Sequence, residues 1–231
     1  LFRSETMKAS NLSAVDFSLR GNFLNTNYSA SSSSLSGTSL ILNYTGLPED
    51  NYTLTLVSGT TGGANFTDAA GNALDGEFSG TLPSGNGTAG GDFVSGFVTD
   101  SIGTEAFPTP LTARQPLGSR IYDGTISRAI APANDTDLFA LTLDAGQTIT
   151  LLVTPTSSSL QPSVALFDPS GNQIGTAAAA AAGQNALLQT ATVSAAGQYS
   201  FRVSGASGST GVYSLQTILN ARSEEHTSEL Q

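Results

Sequence analysis

Alternation of apolar and polar residues, in short runs, dominates this sequence. Tyr52, Leu54 and Leu56 are separated by threonines. The same period recurs in Leu40-Leu42-Tyr44, Phe139-Leu141-Leu143, Ile149-Leu151-Val153, Val164-Leu166, Tyr199-Phe201-Val203 and Tyr213-Leu215. Successive side chains of a strand point to opposite faces, so each run predicts a half-buried strand. Gly, Pro, Asn or Asp bounds each run and no amphipathic helix separates them, which predicts an all-β chain of antiparallel β-sandwiches.

The one helical candidate is the run of six alanines at Ala177–Ala182. Alanine has the highest helix propensity, yet an isolated helix of this length is marginal in water. The sequence favours a loop or one helical turn between two strands and leaves a short helix as the alternative.

Composition restricts the partners. The chain has 18 acidic and 8 basic residues, a formal net charge of −10. This charge argues against nucleic acid or an anionic membrane surface as a partner and is compatible with calcium. No apolar run approaches the roughly 20 residues of a membrane span. The absence of cysteine excludes a disulfide scaffold and is compatible with an extracellular or cell-surface location.

Both ends differ in composition from the rest of the chain. Residues 222–231 (RSEEHTSELQ) resemble the in-frame translation of a sequencing adapter, and Leu1–Ser4 resemble the other strand of the same adapter. We interpret 1–4 and 222–231 as adapter artefacts and exclude them from fold reasoning. Without them the chain is a fragment lacking His, Cys and Trp, in which a signal peptide would not be visible. His226 is therefore discarded, and a Ser-His-Asp triad, a Cys-His pair and a His-based zinc site are excluded.

A change in amino-acid composition divides the chain. Residues 81–112 are rich in Gly, Ser and Pro, which is typical of a linker. Phe93 and Phe97 alternate with valines and predict a short strand inside it. We therefore expect one β module over residues 5–80 and a second over 113–221.

The second module carries an ordered set of short motifs. They are Asp135-x-Asp137-x-Phe139, Ala145-Gly146-Gln147, Leu166-Phe167-Asp168 with the Gly171-Asn172 turn, Gly197-x-Tyr199-x-Phe201-x-Val203, and Tyr213-Ser-Leu215. In this order they resemble the bacterial pre-peptidase C-terminal (PPC) domain over residues 113–220. The resemblance implies a jelly-roll-like β-sandwich attached to a secreted protein.

The first module carries the segments LILNYTGLPEDNYTLTLVSG and NFTDAAGNALDGEF. They resemble the C-terminal half of a bacterial Ig-like surface domain over about residues 10–78. Its upstream strands are either missing or lie in residues 11–24. The predicted fold class is thus two consecutive antiparallel β-sandwich modules, a partial Ig-like one and a PPC-type one.

One candidate calcium site lies in the first module. Asp68, Asn72, Asp75 and Glu77 place four oxygen donors within ten residues, beside glycines that permit tight turns. Calcium takes six to eight oxygen ligands, and acidic loops commonly supply them. The spacing is not that of an EF-hand. The alternative is that Asp and Asn stabilise turns through bonds to their own backbone.

A second candidate calcium site lies in the second module. Asp135 and Asp137 are two residues apart, so on a strand both carboxylates would face one side and repel unless a cation lies between them. Asp123 is the candidate third ligand. The PPC resemblance adds support, because some such domains bind calcium near their N-terminal edge. The alternative is a capped strand entry with aspartates facing solvent.

Three aromatic residues, Tyr199, Phe201 and Tyr213, suggest either a ligand platform or a packed core, and their period of two inside strands favours the core.

The two resemblances imply a module of a larger exported bacterial protein, and the residue patterns predict that it is non-catalytic. One hypothesis is a structural or adhesive spacer or secretion-linked appendage, whose partner is the rest of the parent polypeptide. Another is a substrate-targeting module of a secreted peptidase or other hydrolase, whose partner is an extracellular polymer such as collagen or polysaccharide. A third is an enzyme, since carboxylate pairs alone can hydrolyse glycosides, but no Asp/Glu pair here has a recognisable catalytic setting.

Overall fold

The structure is a computed structural model that describes residues 12–36, 39–58, 66–68, 70–81, 84–100 and 103–221. The adapter-like ends, 1–4 and 222–231, lie outside the described residues. The chain divides into two compact units, Leu1–Asp100 and Ser101–Gln231. Each is built from β-strands, as the alternating runs predict. No helix in the described part of the chain has the length and hydropathy needed to cross a membrane.

The first unit contains an antiparallel sheet of four strands and a separate hairpin. Its strands are β1 (Phe17–Gly21), β2 (Thr26–Tyr28), β3 (Ser32–Ser36), β4 (Ser39–Asn43), β5 (Asp50–Leu56) and β6 (Phe93–Thr99). The sheet has the order β2-β1-β5-β6, and β3 pairs with β4. Phe17 of β1 and Phe93 of β6 both lie beside Leu56 in the register and are buried with it against Phe66 and Leu74.

The second unit is a sandwich of two five-stranded sheets. Its strands are β7 (Thr104–Ala106), β8 (Thr112–Ala113), β9 (Tyr122–Ile130), β10 (Thr136–Leu143), β11 (Thr148–Pro155), β12 (Pro162–Phe167), β13 (Gln173–Ala178), β14 (Ala186–Thr192), β15 (Gly197–Gly205) and β16 (Gly211–Leu219). The sheet orders are β13-β12-β15-β10-β7 and β14-β11-β16-β9-β8.

From β9 to β16 the chain changes sheet at every connection except the β12–β13 hairpin. The resulting orders, β9-β16-β11-β14 and β10-β15-β12-β13, are those of a jelly roll. The predicted all-β sandwich class is therefore confirmed, with jelly-roll connectivity in the second unit. All its pairings are antiparallel except that of the short strand β7, which runs parallel to β10.

The alternating residues of both sheets fill the interior of this sandwich. Phe139 and Phe201 stack with ring centroids 5.8 Å apart, and Phe107 packs edge-on against Phe201 at 5.6 Å. Phe201 and Tyr213 are fully buried, and Tyr199 is almost so. The core interpretation of these three aromatic residues is confirmed, because their period of two directs all of them inward.

The segment predicted as a linker supplies strands to both units. β6 pairs with β5 along its whole length, and β7 and β8 pair with β10 and β9. Phe107, also in this segment, is a buried member of the second unit's core. The short strand predicted around Phe93 and Phe97 is β6.

The alanine run forms no α-helix in residues 177–182, all of which are described. Its first two residues end β13, and the remainder forms a turn. Ala179 donates its N–H to the Pro162 carbonyl at 2.9 Å, and the turn ends where the Gly183 N–H meets the Leu160 carbonyl at 2.8 Å. The predicted loop between two strands is confirmed.

Candidate functional site

Asp68 and Asn72 close one tight turn in the first unit. The Asn72 backbone N–H donates to Asp68 Oδ1 at 2.8 Å, and its side-chain amide donates to Asp68 Oδ2 at 2.7 Å. The Asp68 N–H in turn donates to the Asn72 carbonyl at 2.9 Å. Gly71 has φ +91°, a conformation that favours glycine. Both Asp68 oxygens therefore serve the turn that contains them.

Asp75 and Glu77 hold a second segment, residues 84–91, which we call the glycine loop. Asp75 accepts the backbone N–H groups of Asn86 at 2.8 Å and Gly87 at 2.9 Å. Glu77 Oε1 accepts the Asn86 side-chain amide at 3.1 Å. A Cβ added at Gly85 would lie 2.5 Å from Asp75 Cγ, so the loop approaches the carboxylate as only glycine permits.

The second oxygen of Glu77 differs from the others. Glu77 Oε2 is enclosed and has no hydrogen-bond partner among the described residues. An enclosed carboxylate oxygen without a donor or cation is unfavourable. The carboxylates of Asp68, Asp75 and Glu77 do not all come within 4.8 Å of one another. The structure thus places the first predicted calcium group in two successive turns, and the second turn holds an unsatisfied oxygen.

Asp123 lies on the outer face of the second unit, in β9. Its neighbour Gly124 faces the core, where an added Cβ would lie 3.0 Å from Phe107 Cε1, so Asp123 points outward. It is nevertheless only 9% exposed, because Arg114 and Gln216 cover it. The Gln216 amide donates to Asp123 Oδ2 at 2.8 Å. Hydrogen bonding from the Arg114 guanidinium lowers the pKa of Asp123, against an opposing effect of burial.

Asp135 and Asp137 have separate tasks at the start of β10. Asp135 precedes the strand, and its Oδ2 accepts the Ala131 N–H at 2.9 Å, which closes the turn before it. Asp137 lies within the strand and accepts the Tyr213 hydroxyl at 2.6 Å. Tyr213 belongs to β16 of the opposite sheet, so this bond crosses the sandwich.

The structure does not bring Asp123 together with Asp135 and Asp137. Asp123 is on the outer face of the β14-β11-β16-β9-β8 sheet, whereas Asp137 faces inward from the other sheet. The three carboxylates do not all lie within 4.8 Å of one another. Each aspartate instead has its own protein donor.

Two further groups were not predicted from the sequence. Arg128 and Glu105 form an ion pair at 2.6 Å between β9 and β7, which are strands of opposite sheets. Asp50 is fully buried and accepts the backbone N–H groups of Phe23 at 2.8 Å and Leu24 at 3.1 Å. A spacing rule does not reveal either group, because the partners are 23 and 27 residues apart along the chain.

A third feature, a pair of tyrosine hydroxyl bonds, could have been predicted from the sequence. The Tyr52 hydroxyl donates to the Pro48 carbonyl at 2.7 Å, and the Tyr199 hydroxyl donates to the Ala195 carbonyl at 2.9 Å. Each tyrosine lies near the start of its strand and reaches back four residues, as in the tyrosine corner of β-sandwiches. A tyrosine soon after a turn residue, at the start of an alternating run, is the signal.

No protein-family model and no curated protein matches the chain. Among solved structures, it is similar to the pre-peptidase C-terminal domain of collagenase from Bacillus anthracis, at 18% identity and a TM-score of 0.36, covering 51% of this chain and 99% of that one. It is also similar to PliG of Aeromonas hydrophila, a periplasmic inhibitor of g-type lysozyme, at 15% identity and a TM-score of 0.33, covering 51% and 97%. A carbohydrate-binding module of the β-sandwich superfamily aligns at 9% identity and a TM-score of 0.25, covering 93% and 84%. Similarities at these TM-scores assign neither a family nor an activity.

Proposed function

We propose that this chain is a non-catalytic accessory part of a larger exported bacterial protein, acting as a structural or adhesive spacer or a secretion-linked appendage. The supporting observation is how the candidate carboxylates are used. Asp68, Asp123, Asp135 and Asp137 each accept hydrogen bonds that close a turn, cover a sheet face or join two sheets. Groups committed in this way hold a scaffold rigid.

The PPC-like assignment of residues 113–221 is part of this proposal. Its support is that the sequence motifs coincide with strands and turns of the jelly-roll sandwich. Asp137 and Phe139 begin β10, the Gly171-Asn172 turn joins β12 to β13, and Gly197–Val203 lies in β15. Residues 5–80 are proposed as the partial Ig-like module, and the extracellular or cell-surface location follows from the same resemblances.

Recovery of the complete reading frame from the source DNA, by an adapter-free route, tests this proposal. We expect an export signal, further β modules or a secreted enzyme domain in the same frame, and different residues in place of 1–4 and 222–231. A frame encoding an intracellular protein without an export signal would contradict it.

An alternative is a substrate-targeting module, favoured by the outer face around Asp123. Thr125, Gln216, Leu152 and Leu187 lie side by side across four neighbouring strands of that face. Leu187 is 47% exposed. A row of amide, hydroxyl and apolar groups on one sheet face suits an extended polymer such as collagen or polysaccharide.

Retention on insoluble collagen, chitin and cellulose separates the two functions. Targeting predicts retention that is lost in Gln216→Ala, whereas the matched change Gln173→Ala, in β13 of the opposite sheet, leaves it intact. Passage of the unmodified chain through all three matrices supports the spacer.

Calcium remains a proposal at two places. At Glu77 its support is the enclosed oxygen without a donor, which a cation would satisfy. At Asp135 and Asp137 its support is the sequence resemblance, and Asp123, on the outer face of the other sheet, is not part of that place. Thermal unfolding with calcium or chelator tests both: Glu77→Gln abolishes the calcium shift if the first place binds, and Asp135→Asn/Asp137→Asn abolishes it if the second does. An unmodified chain that shows no shift would contradict both.

A further inference from the structure

Asn86 and Gly87 form an unusual step in the glycine loop. They are the sole Asn-Gly pair among the 231 residues. Both are exposed, so water reaches them. Asparagine followed by glycine is the sequence in which the next backbone nitrogen attacks the side-chain amide most readily, because glycine has no Cβ to obstruct the approach.

The described contacts surround this step with the groups that such an attack needs. The Gly87 N–H, which would supply the nucleophile, donates to Asp75 Oδ2 at 2.9 Å. The Asn86 side-chain oxygen, on which negative charge would develop, accepts the Thr88 N–H at 2.8 Å. The Asn86 side-chain nitrogen, which would leave, donates to Glu77 Oε1 at 3.1 Å.

Each contact corresponds to a known element of acyl-transfer catalysis. A carboxylate on the nucleophile's proton is a general base. A backbone N–H on the carbonyl oxygen is an oxyanion donor. Glu77 orients the side-chain amide, and the Asn86 backbone N–H, which donates to Asp75 at 2.8 Å, holds the residue itself.

We propose that Asn86 is a self-modification site at which the folded chain converts asparagine to a succinimide and then to aspartate or isoaspartate. Asp75 takes the proton from the Gly87 nitrogen, which attacks Asn86 Cγ to form a C–N bond. The Cγ–Nδ2 bond breaks, and Nδ2 takes a proton from water and leaves as ammonia. The hydroxide from that water receives the proton held by Asp75. A second water then opens the five-membered ring at either carbonyl, so no oxidant or cofactor is required.

The products change the loop that made them. Aspartate at this position removes the amide donor to Glu77 and adds a negative charge beside Asp75 and Glu77. Isoaspartate also inserts an extra carbon into the backbone. Aspartate thus loses the bond to Glu77, whereas isoaspartate also displaces the backbone N–H groups that donate to Asp75, so the reaction slowly loosens this part of the first unit.

The test compares the folded chain with the same chain in denaturant at neutral pH. Peptide mass spectrometry measures loss of one ammonia at Asn86 and the ratio of aspartate to isoaspartate over time. We expect the folded chain to react roughly tenfold or more faster than the unfolded chain, because the base and the oxyanion donor exist only in the fold. A folded chain that reacts at the unfolded rate or more slowly overturns the proposal, because the loop then protects Asn86.

Variants identify the groups. Asp75→Ala is expected to lower the folded rate to that of the unfolded chain, and Asn72→Ala, in the adjacent turn, is the matched control that leaves it unchanged. An Asp75→Ala variant that reacts at the unmodified folded rate overturns the role of Asp75. Hydrogen exchange of β5 and β6, measured on each variant, reports whether the first unit is still folded.

Discussion

The two units share the same local hydrogen-bonded motifs but have different interiors. Each has a tyrosine hydroxyl bonded to the carbonyl four residues back, Tyr52 in the first and Tyr199 in the second. Each has an Asp-x-x-Gly-Asn turn, residues 68–72 and 168–172, in which the asparagine donates its backbone and side-chain N–H groups to the aspartate. The motifs recur because a few adjacent residues determine them.

The interiors differ because they depend on how many strands face one another. In the second unit two five-stranded sheets enclose a continuous core that includes the Phe107–Phe139–Phe201 cluster. In the first unit a four-stranded sheet and a hairpin surround a smaller buried group. The chemistry of the turns is thus a poor guide to how deeply the residues around them are buried.

The largest expected difference is in the cores. Phe201→Ala removes a fully buried ring that contacts two other rings, and we expect a loss of about 3–5 kcal/mol in the free energy of unfolding. Phe93→Ala, on the buried ring that packs against Phe78 in the first unit, is the matched change with a smaller loss. Hydrogen exchange measured peptide by peptide assigns each loss to its unit. Equal losses would show that the two interiors are equally deep.

A gain in stability is expected in the second unit alone. Thr217 faces inward from β16, is fully buried, and its hydroxyl has no hydrogen-bond partner among the described residues. Thr217→Val replaces the hydroxyl by a methyl group, which removes an unsatisfied polar atom that costs about 1–3 kcal/mol. We expect slower hydrogen exchange in β16 and its neighbouring strands and no change in residues 12–58. Faster exchange would mean that the hydroxyl has a partner, such as an enclosed water.

The tyrosine corners should respond alike. Tyr52→Phe and Tyr199→Phe each delete one hydroxyl and leave the ring in place, so each should cost about 1 kcal/mol, the net worth of one hydrogen bond. Urea unfolding of both variants measures the two losses. A marked inequality would show that one corner depends on its surroundings and not on the local bond.

The sequence predicted the strands and turns, which depend on neighbouring residues, but not how the strands assemble into sheets. The alternating runs located the strands, and glycine with asparagine located the turns. The alternation of apolar and polar residues does not show which sheet a strand joins. For this reason Asp123 and Asp137 were grouped, although they belong to different sheets and opposite faces. The strands near Phe93 and Phe107 were assigned to a linker because glycine and proline surround them, and their burial depends on partners distant in sequence.

The last comparison concerns the two turns, where the expected effect is smallest. Hydrogen bonding from Asn172, by its side chain first and its backbone second, lowers the pKa of Asp168 below its ordinary value of 3.8. A depressed pKa contributes stability that is present above the ordinary value and is lost as the pH falls through the folded-state pKa. Asn172→Ala should therefore raise the pKa of Asp168 and reduce the loss of stability as the pH falls. Asn72→Ala, the equivalent change in the first unit, should leave Asp168 unaffected. Carboxyl NMR titration measures both, and an unchanged Asp168 in Asn172→Ala would show that the backbone of the turn, without the asparagine side chain, is enough to hold the carboxylate.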